Sequence, residues 1–193
     1  MTRWSMTALI AIIVTGAIAA WLLVITLSET GQNPVNTTSI SPLVDDPNAS
    51  LPTIPATLFY VAEQGNRLIG QEHAVPEDVP TTSQARLLIE QQLLPPEAPL
   101  TSAVPEGTTL LGIYISDRGD AFVDFSREIN TGHSGGSLEE LFTIYAIVNT
   151  LTVNLPSITG VQILIEGQEV DTLAGHIDLR RPLAQSLKWV EPL

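Results

Sequence analysis

The chain has 193 residues, with 8 Lys and Arg against 21 Asp and Glu, so its formal net charge is −13. This balance argues against nucleic acid as a partner and against a polybasic membrane patch, because both need clustered cations. The chain has no cysteine and only three histidines, which excludes disulfides, thiol catalysis and lipid attachment to cysteine. No metal site and no cofactor are predicted.

The first long feature is the uncharged apolar run at residues 6–27. As a helix it would be roughly 33 Å long, enough to cross a bilayer core of about 30 Å. Arg3 precedes the run, and the next cation is Arg67, which predicts a cytoplasmic N-terminus at residues 1–5 and an extracytoplasmic remainder. A cleaved signal peptide is the alternative, since residues 17–19 (AIA) resemble a cleavage site. The apolar run continues beyond that site, which favours an uncleaved single-pass anchor in the cell membrane.

The composition changes after the apolar run. Residues 28–55 are rich in Ser, Thr, Asn and Pro and predict a flexible linker. Globular patterning begins at Ala56 and predicts one domain at residues 56–184, followed by a C-terminal tail at residues 185–193.

Periodicity and turn residues predict six strands and two helices in this domain. A hairpin turn is predicted at residues 117–119 (DRG), and the proline pair at residues 95–96 ends the first helix. The resulting order ββ-α-ββ-α-ββ predicts an α+β fold, with two helices packed on one face of a mixed or antiparallel sheet. The predicted strands are at residues 57–61, 67–75, 109–116, 120–126, 160–166 and 169–173, and the helices are at residues 82–94 and 138–155.

Both helices begin at patterns typical of a capping box. Thr81 with Gln84, and Ser137 with Glu140, have the spacing at which each side chain bonds the other's backbone amide. The second helix also carries a broad apolar face, which predicts that it lies at the centre of the core.

Residues 132–136 (GHSGG) match the G-x-S-x-G elbow of serine hydrolases, and they suggest Ser134 as a nucleophile with His176 as its base. The elbow requires a strand that runs directly into the turn, whereas a polar loop at residues 127–131 precedes this motif. The motif is also explained as a glycine-rich loop that leads into a capped helix, and this second interpretation is favoured.

Other polar residues are candidates for binding. His176 and Asp178 lie on one face of an extended segment, and Arg180 with Arg181 is the only adjacent cation pair. A guanidinium pair of this kind can bind a carboxylate or an acidic patch of a partner, or it can balance nearby charge within the chain. The binding candidates are therefore His176, Asp178, Arg180 and Arg181, with no catalytic and no metal-ligating residue predicted.

Four segments in order resemble the GerMN domain, the sporulation and spore germination module of bacteria. The resemblance covers residues 56–183, nearly all of the predicted soluble part. The segments are residues 104–108 (VPEGT), 121–126 (AFVDFS), 146–151 (AIVNTL) and 161–167 (VQILIEG) followed by 172–183 (TLAGHIDLRRPL).

This resemblance implies a bacterial extracytoplasmic α+β domain with a binding or assembly role in the cell envelope and without catalysis. The positions that match the family's recurrent residues are expected to be structural: Asp124, Ser126, Asn149, Thr150, Gly167 and His176. Members of the family are often lipoproteins, whereas this chain has no cysteine and is predicted to use a transmembrane helix.

The combined prediction is a membrane-anchored, non-enzymatic binding or assembly module of the bacterial envelope, with a possible link to sporulation or germination. Its expected partner is an envelope protein or a cell-wall polymer, with membrane contact through residues 6–27 and no nucleic acid. Two alternatives stay open, namely a small-ligand or cation sensor domain and a serine hydrolase that uses Ser134 and His176.

Overall fold

The structure is a computed structural model that describes residues 52–77 and 79–192. The predicted N-terminus at residues 1–5, the anchor at 6–27 and all but the end of the linker at 28–55 lie outside the described residues. Within them, no helix is both long enough and apolar enough to cross a membrane. The boundaries assigned to anchor, linker, domain and tail stay predictions.

The strands and helices follow the predicted order, with one added helical turn, α2, in the segment predicted as a polar loop. Ile129 in this turn is fully buried, and the turn lets its side chain reach the core. The elements are β1 (Thr53–Val61), β2 (Leu68–Pro76), α1 (Thr81–Gln92), β3 (Leu110–Ile115), β4 (Asp120–Phe125), α2 (Glu128–Thr131), α3 (Ser137–Asn154), β5 (Gly160–Ile165) and β6 (Gln168–Glu169).

The predicted single sheet is wrong, because the strands form two sheets. β1 and β2 are an antiparallel pair, and the other sheet has the order β3-β4-β5-β6. In the four-stranded sheet β4 and β5 are parallel while the outer pairs are antiparallel, so this sheet is mixed as predicted. Helix α3 contacts β1 and β5, and α1 contacts β1, β2 and β3. The two long helices thus pack against both sheets.

Side-chain amides occupy the edge of β1 that does not face β2. The Gln92 carboxamide accepts from the Phe59 amide at 2.9 Å and donates to the Phe59 carbonyl at 2.7 Å. The Asn154 carboxamide does the same for Thr57, with both distances 2.7 Å. A carboxamide offers one acceptor and one donor, as a neighbouring strand residue would. These two side chains therefore take the place of a further strand, which explains why the sheet stops at β1.

The core lies around α3, which is buried along most of its length. The Asn149 carboxamide on this helix binds the C-terminal segment, since it donates to the Ser186 carbonyl at 2.9 Å and accepts from the Ser186 amide at 3.0 Å. The largest fully buried side chains are those of Tyr60, Phe125, Phe142, Leu58, Leu68, Leu88, Ile89, Ile129, Ile144, Ile147, Leu151 and Ile163.

The predicted capping boxes are wrong. Pro80 and Gly136 occupy the N-cap positions of α1 and α3, and neither helix has a side-chain cap bond. Ser137 is instead the first residue of α3. The carboxylate of Glu140 cannot bond back to the helix start, because it is buried and accepts hydrogen bonds from another segment.

Candidate functional site

The strongest polar constellation in the described residues centres on the buried carboxylate of Glu140, whose exposed fraction is 0%. Its Oε1 accepts from the amides of Leu173 and Ala174, both at 2.9 Å. Its Oε2 accepts from the His176 amide at 2.8 Å and lies 2.9 Å from Nδ1 of the same histidine. We call residues 171–182, which carry these donors, the Glu140 loop.

These donors decide the charge of Glu140. Burial would raise the pKa of the carboxyl, but the hydrogen bonds from Ala174 and His176 act against it, and the net result is a pKa below the ordinary 4.5. The group is thus an anion at neutral pH. A carboxylate can only accept, so Nδ1 of His176 carries the proton and donates to it.

The lowered pKa predicts an acid-sensitive contribution to stability. A group whose pKa is lowered by folding stabilises the fold above its ordinary pKa, and this contribution is lost as pH falls through the folded value. The free energy of unfolding of the wild type should therefore fall more steeply than that of Glu140→Gln below about pH 4.5. Urea unfolding of both chains across this range measures the difference, and parallel pH profiles would contradict it.

Further hydrogen bonds fasten the rest of the Glu140 loop. The Asn130 side-chain amide donates to the Leu173 carbonyl at 2.5 Å, and that of Gln162 donates to the Leu179 carbonyl. Within the loop, the Leu179 amide donates to the Asp171 carbonyl at 2.8 Å. Because Leu173 and Leu179 are also buried in the core, the loop is fixed at several points along its length.

The outward side of this loop carries the other predicted candidates. Arg180 and Asp178 form a double hydrogen bond, with Nε to Oδ1 at 2.8 Å and Nη2 to Oδ2 at 2.7 Å. The Arg180 guanidinium holds the pKa of the Asp178 carboxyl well below its usual range. Arg181 is exposed and forms no ion pair within the described residues. Of the four candidates, His176 bonds to Glu140, Asp178 and Arg180 bond to each other, and Arg181 is left for solvent.

The structure does not join the two residues of the hydrolase hypothesis by a hydrogen bond. Ser134 donates to the carboxylate of Glu139, whereas His176 bonds to Glu140. The helical turn α2, not a strand, comes before the G-x-S-x-G motif. Across residues 52–77 and 79–192, no cluster of three or more acidic or histidine side chains could hold a metal ion.

Comparison with protein-family models matches residues 57–171, more than half of the chain, to Germane, described as "Sporulation and spore germination". The chain belongs to the Germane family. The resemblance to GerMN domains drawn from the sequence is confirmed. A comparison with curated proteins finds no match.

Solved structures of similar proteins agree with the Germane assignment. A Clostridium perfringens protein named as a lipoprotein is 26% identical, with a TM-score of 0.50, and the match covers 68% of this chain and 87% of that chain. The tandem GerMN domains of the sporulation protein GerM from Bacillus subtilis are 22% identical, with a TM-score of 0.54 and coverage of 69% and 46%. The first GerMN domain of GerM is 21% identical, with a TM-score of 0.51 and coverage of 69% and 96%. At these identities the two GerM structures show a shared fold.

The residues that the resemblance to GerMN domains singles out form hydrogen bonds within the domain in this structure. Asp124 accepts from the Gly167 amide at 2.8 Å, which fixes the turn after β5. Ser126 accepts from the Thr109 amide at 3.0 Å. Thr150 donates to the Gln92 side chain at 2.7 Å. Together with Asn149 and His176 these contacts agree with the structural role expected for the positions.

Sequence reasoning missed Glu140 as the centre of this constellation. The signal was present, because Glu140 lies four and eight residues before Ile144 and Val148, which puts all three on one buried stripe of α3. A glutamate on an apolar stripe needs buried hydrogen-bond donors. Here the donors are amides of the Glu140 loop, which lies 33 to 36 positions further along the chain.

Proposed function

We propose that this protein is a membrane-anchored, extracytoplasmic binding module of the bacterial cell envelope that performs no catalysis. The proposal rests on the Glu140 loop. Hydrogen bonds to the buried Glu140 carboxylate hold this loop, and Arg181 and the Asp178–Arg180 pair on it are exposed to solvent. Its partner would be an envelope protein or a cell-wall polymer.

Because hydrogen bonds already fix the conformation of the Glu140 loop, a partner that binds it has less ordering to impose. Ordering a flexible segment at an interface costs about 0.5–1.5 kcal/mol for each immobilised side chain, and a loop held in advance avoids part of that cost. Arg181 adds a guanidinium that can form paired hydrogen bonds with a carboxylate or phosphate. The serine hydrolase alternative is not supported, because Ser134 bonds to the carboxylate of Glu139 and not to the His176 imidazole that this hypothesis requires as its base.

Anchoring rests on the sequence. The apolar run at residues 6–27 would hold the chain in the membrane, and a linker of about 28 residues would let the domain range roughly 25–35 Å from it. The names of the similar proteins, a lipoprotein and a sporulation protein, favour an envelope location and a role in sporulation or germination.

Site-specific photo-crosslinking of the full chain in its own cells tests the proposal. A photoreactive amino acid replaces Asp171, an exposed residue of the Glu140 loop, in one strain, which leaves Arg181 in place, and Glu72, an exposed residue of β2, in the control strain. We expect a reproducible adduct from position 171 and none of that mass from position 72. Digestion with a cell-wall hydrolase then separates a polymer adduct, which it shortens, from a protein adduct, which it leaves unchanged. Identical adducts from both positions, or none from position 171, would overturn the proposal.

A further inference from the structure

A second concave surface lies where α3 begins, and it has no lining residue in common with the Glu140 loop. It is a groove of about 420 Å³ between the end of β1, residues 101–105 and residues 132–143. We call it the α3 groove. Its volume falls in the range of about 300–1,000 Å³ that is common for small-ligand sites.

The floor of the α3 groove is apolar. Val104 and Phe142 line it and are buried, at 5% and 2% exposure, and Leu138 lines it from a more exposed position. Side chains of this kind favour a hydrocarbon chain, at about 0.8 kcal/mol for each buried methylene group. The floor therefore fits an aliphatic stem.

The charged lining of the α3 groove has one sign. Glu63 and Glu139 line it, and no lysine or arginine does. The hydroxyl of Ser134 donates to one carboxylate oxygen of Glu139, which helps to fix the direction of that side chain. This lining attracts a cation and repels an anion.

The imidazole of His133 is a third feature of the lining. Its Nε2 is enclosed by protein atoms and has no hydrogen-bond partner in the described part of the chain, so a ligand in the groove does not reach that atom. Burial lowers the pKa of His133, in spite of the nearby carboxylates of Glu140 and Glu139, so the ring is neutral at neutral pH. A neutral ring places no positive charge next to Glu139 that would repel a cation, and its resonance signals report on what binds beside it.

We propose that the α3 groove binds a primary alkylammonium group, with the aliphatic stem on Val104 and Phe142 and the ammonium beside the Glu139 carboxylate. An ammonium carries three donors and no acceptor, which matches a carboxylate that can only accept. The shared chemistry could come from a lysine-type side chain of a peptide or from a free alkylamine.

Nuclear magnetic resonance of the full chain with ¹⁵N-labelled histidine tests this proposal. The chain has three histidines, His73, His133 and His176, so two of them serve as internal references. The probe is lysine blocked at both its amino and carboxyl ends, and its control is the same compound with the side-chain amine acetylated, which removes the charge. We expect a saturable shift of the His133 ring signals with the charged probe only. No shift with the charged probe, or an equal shift with the acetylated one, would overturn the proposal.

Variants and a second probe refine the same titration. Glu139→Gln should weaken binding about two- to five-fold, as expected for the loss of one exposed charge. The control Glu169→Gln, an exposed residue of β6, should leave binding unchanged. Unmoved His73 and His176 signals would show that both variants are folded. Equal affinities of Glu139→Gln and Glu169→Gln for blocked lysine would contradict the site.

Pentylamine that binds as tightly as blocked lysine indicates a free amine as the source, and weaker binding of pentylamine indicates a peptide.

Discussion

Replacing Glu140 with alanine is expected to lower the free energy of unfolding by about 3–5 kcal/mol, the cost typical of removing one partner from a buried charged network. The substitution leaves the amides of Leu173, Ala174 and His176 without their acceptor. It also opens a space in the core next to α3. Urea unfolding of the variant and the wild type at neutral pH measures the difference.

The control for this prediction is the neighbouring residue. Glu139 lies on the same helix but is exposed, and Glu139→Ala removes only its bond with Ser134. We expect a change within about 0.5 kcal/mol, as for other exposed substitutions. Equal losses for the two variants would show that the buried carboxylate has no special role in stability.

Gln92→Leu is the second large prediction, with an expected loss of about 2–4 kcal/mol. Leucine fills a similar volume, so the loss comes mainly from hydrogen bonds and not from a cavity. The amide and carbonyl of Phe59 lose their partners, and so does the hydroxyl of Thr150. Gln92 is fully buried, which prevents water from replacing the bonds cheaply. Urea unfolding measures the loss, and hydrogen exchange should show faster exchange of the Phe59 amide.

The adjacent Gln91 gives a matched control, because the same substitution there falls on an exposed side chain. Gln91→Leu should change the free energy of unfolding by no more than about 0.5 kcal/mol. A Gln92→Leu variant that is as stable as the wild type and keeps its Phe59 amide protected from exchange would contradict the claim that Gln92 takes the place of a strand at the edge of β1.

The order of strands and helices could be predicted from the sequence because its signals are local. The hairpin between β3 and β4 follows from the turn residues at 117–119, and the periodicity of α3 is contained in its own eighteen residues. The division into two sheets could not be predicted in this way. It depends on Gln92 and Asn154 meeting β1 residues that are 33 and 97 positions away.

The candidate site was predicted in part. His176 is expected to be structural, and its ring and amide both bond to the distant carboxylate of Glu140 and not to local backbone. The carboxylate itself was assigned to a capping box, since its spacing from Ser137 fits that motif as well as it fits the buried stripe of α3. Choosing between the two requires knowledge of where the amides of Leu173 and Ala174 lie, and those positions are set by tertiary packing.

Hydrogen exchange at the amides of Leu173, Ala174 and His176 tests most directly the claim that the Glu140 carboxylate holds the Glu140 loop in a fixed conformation. All three donate to one buried carboxylate, so we expect exchange as slow as that of amides in the core strand β5, and much faster exchange in Glu140→Gln. Exchange in the wild type at the rate of an unstructured peptide would contradict the claim, and with it the argument that this surface is prepared for a partner.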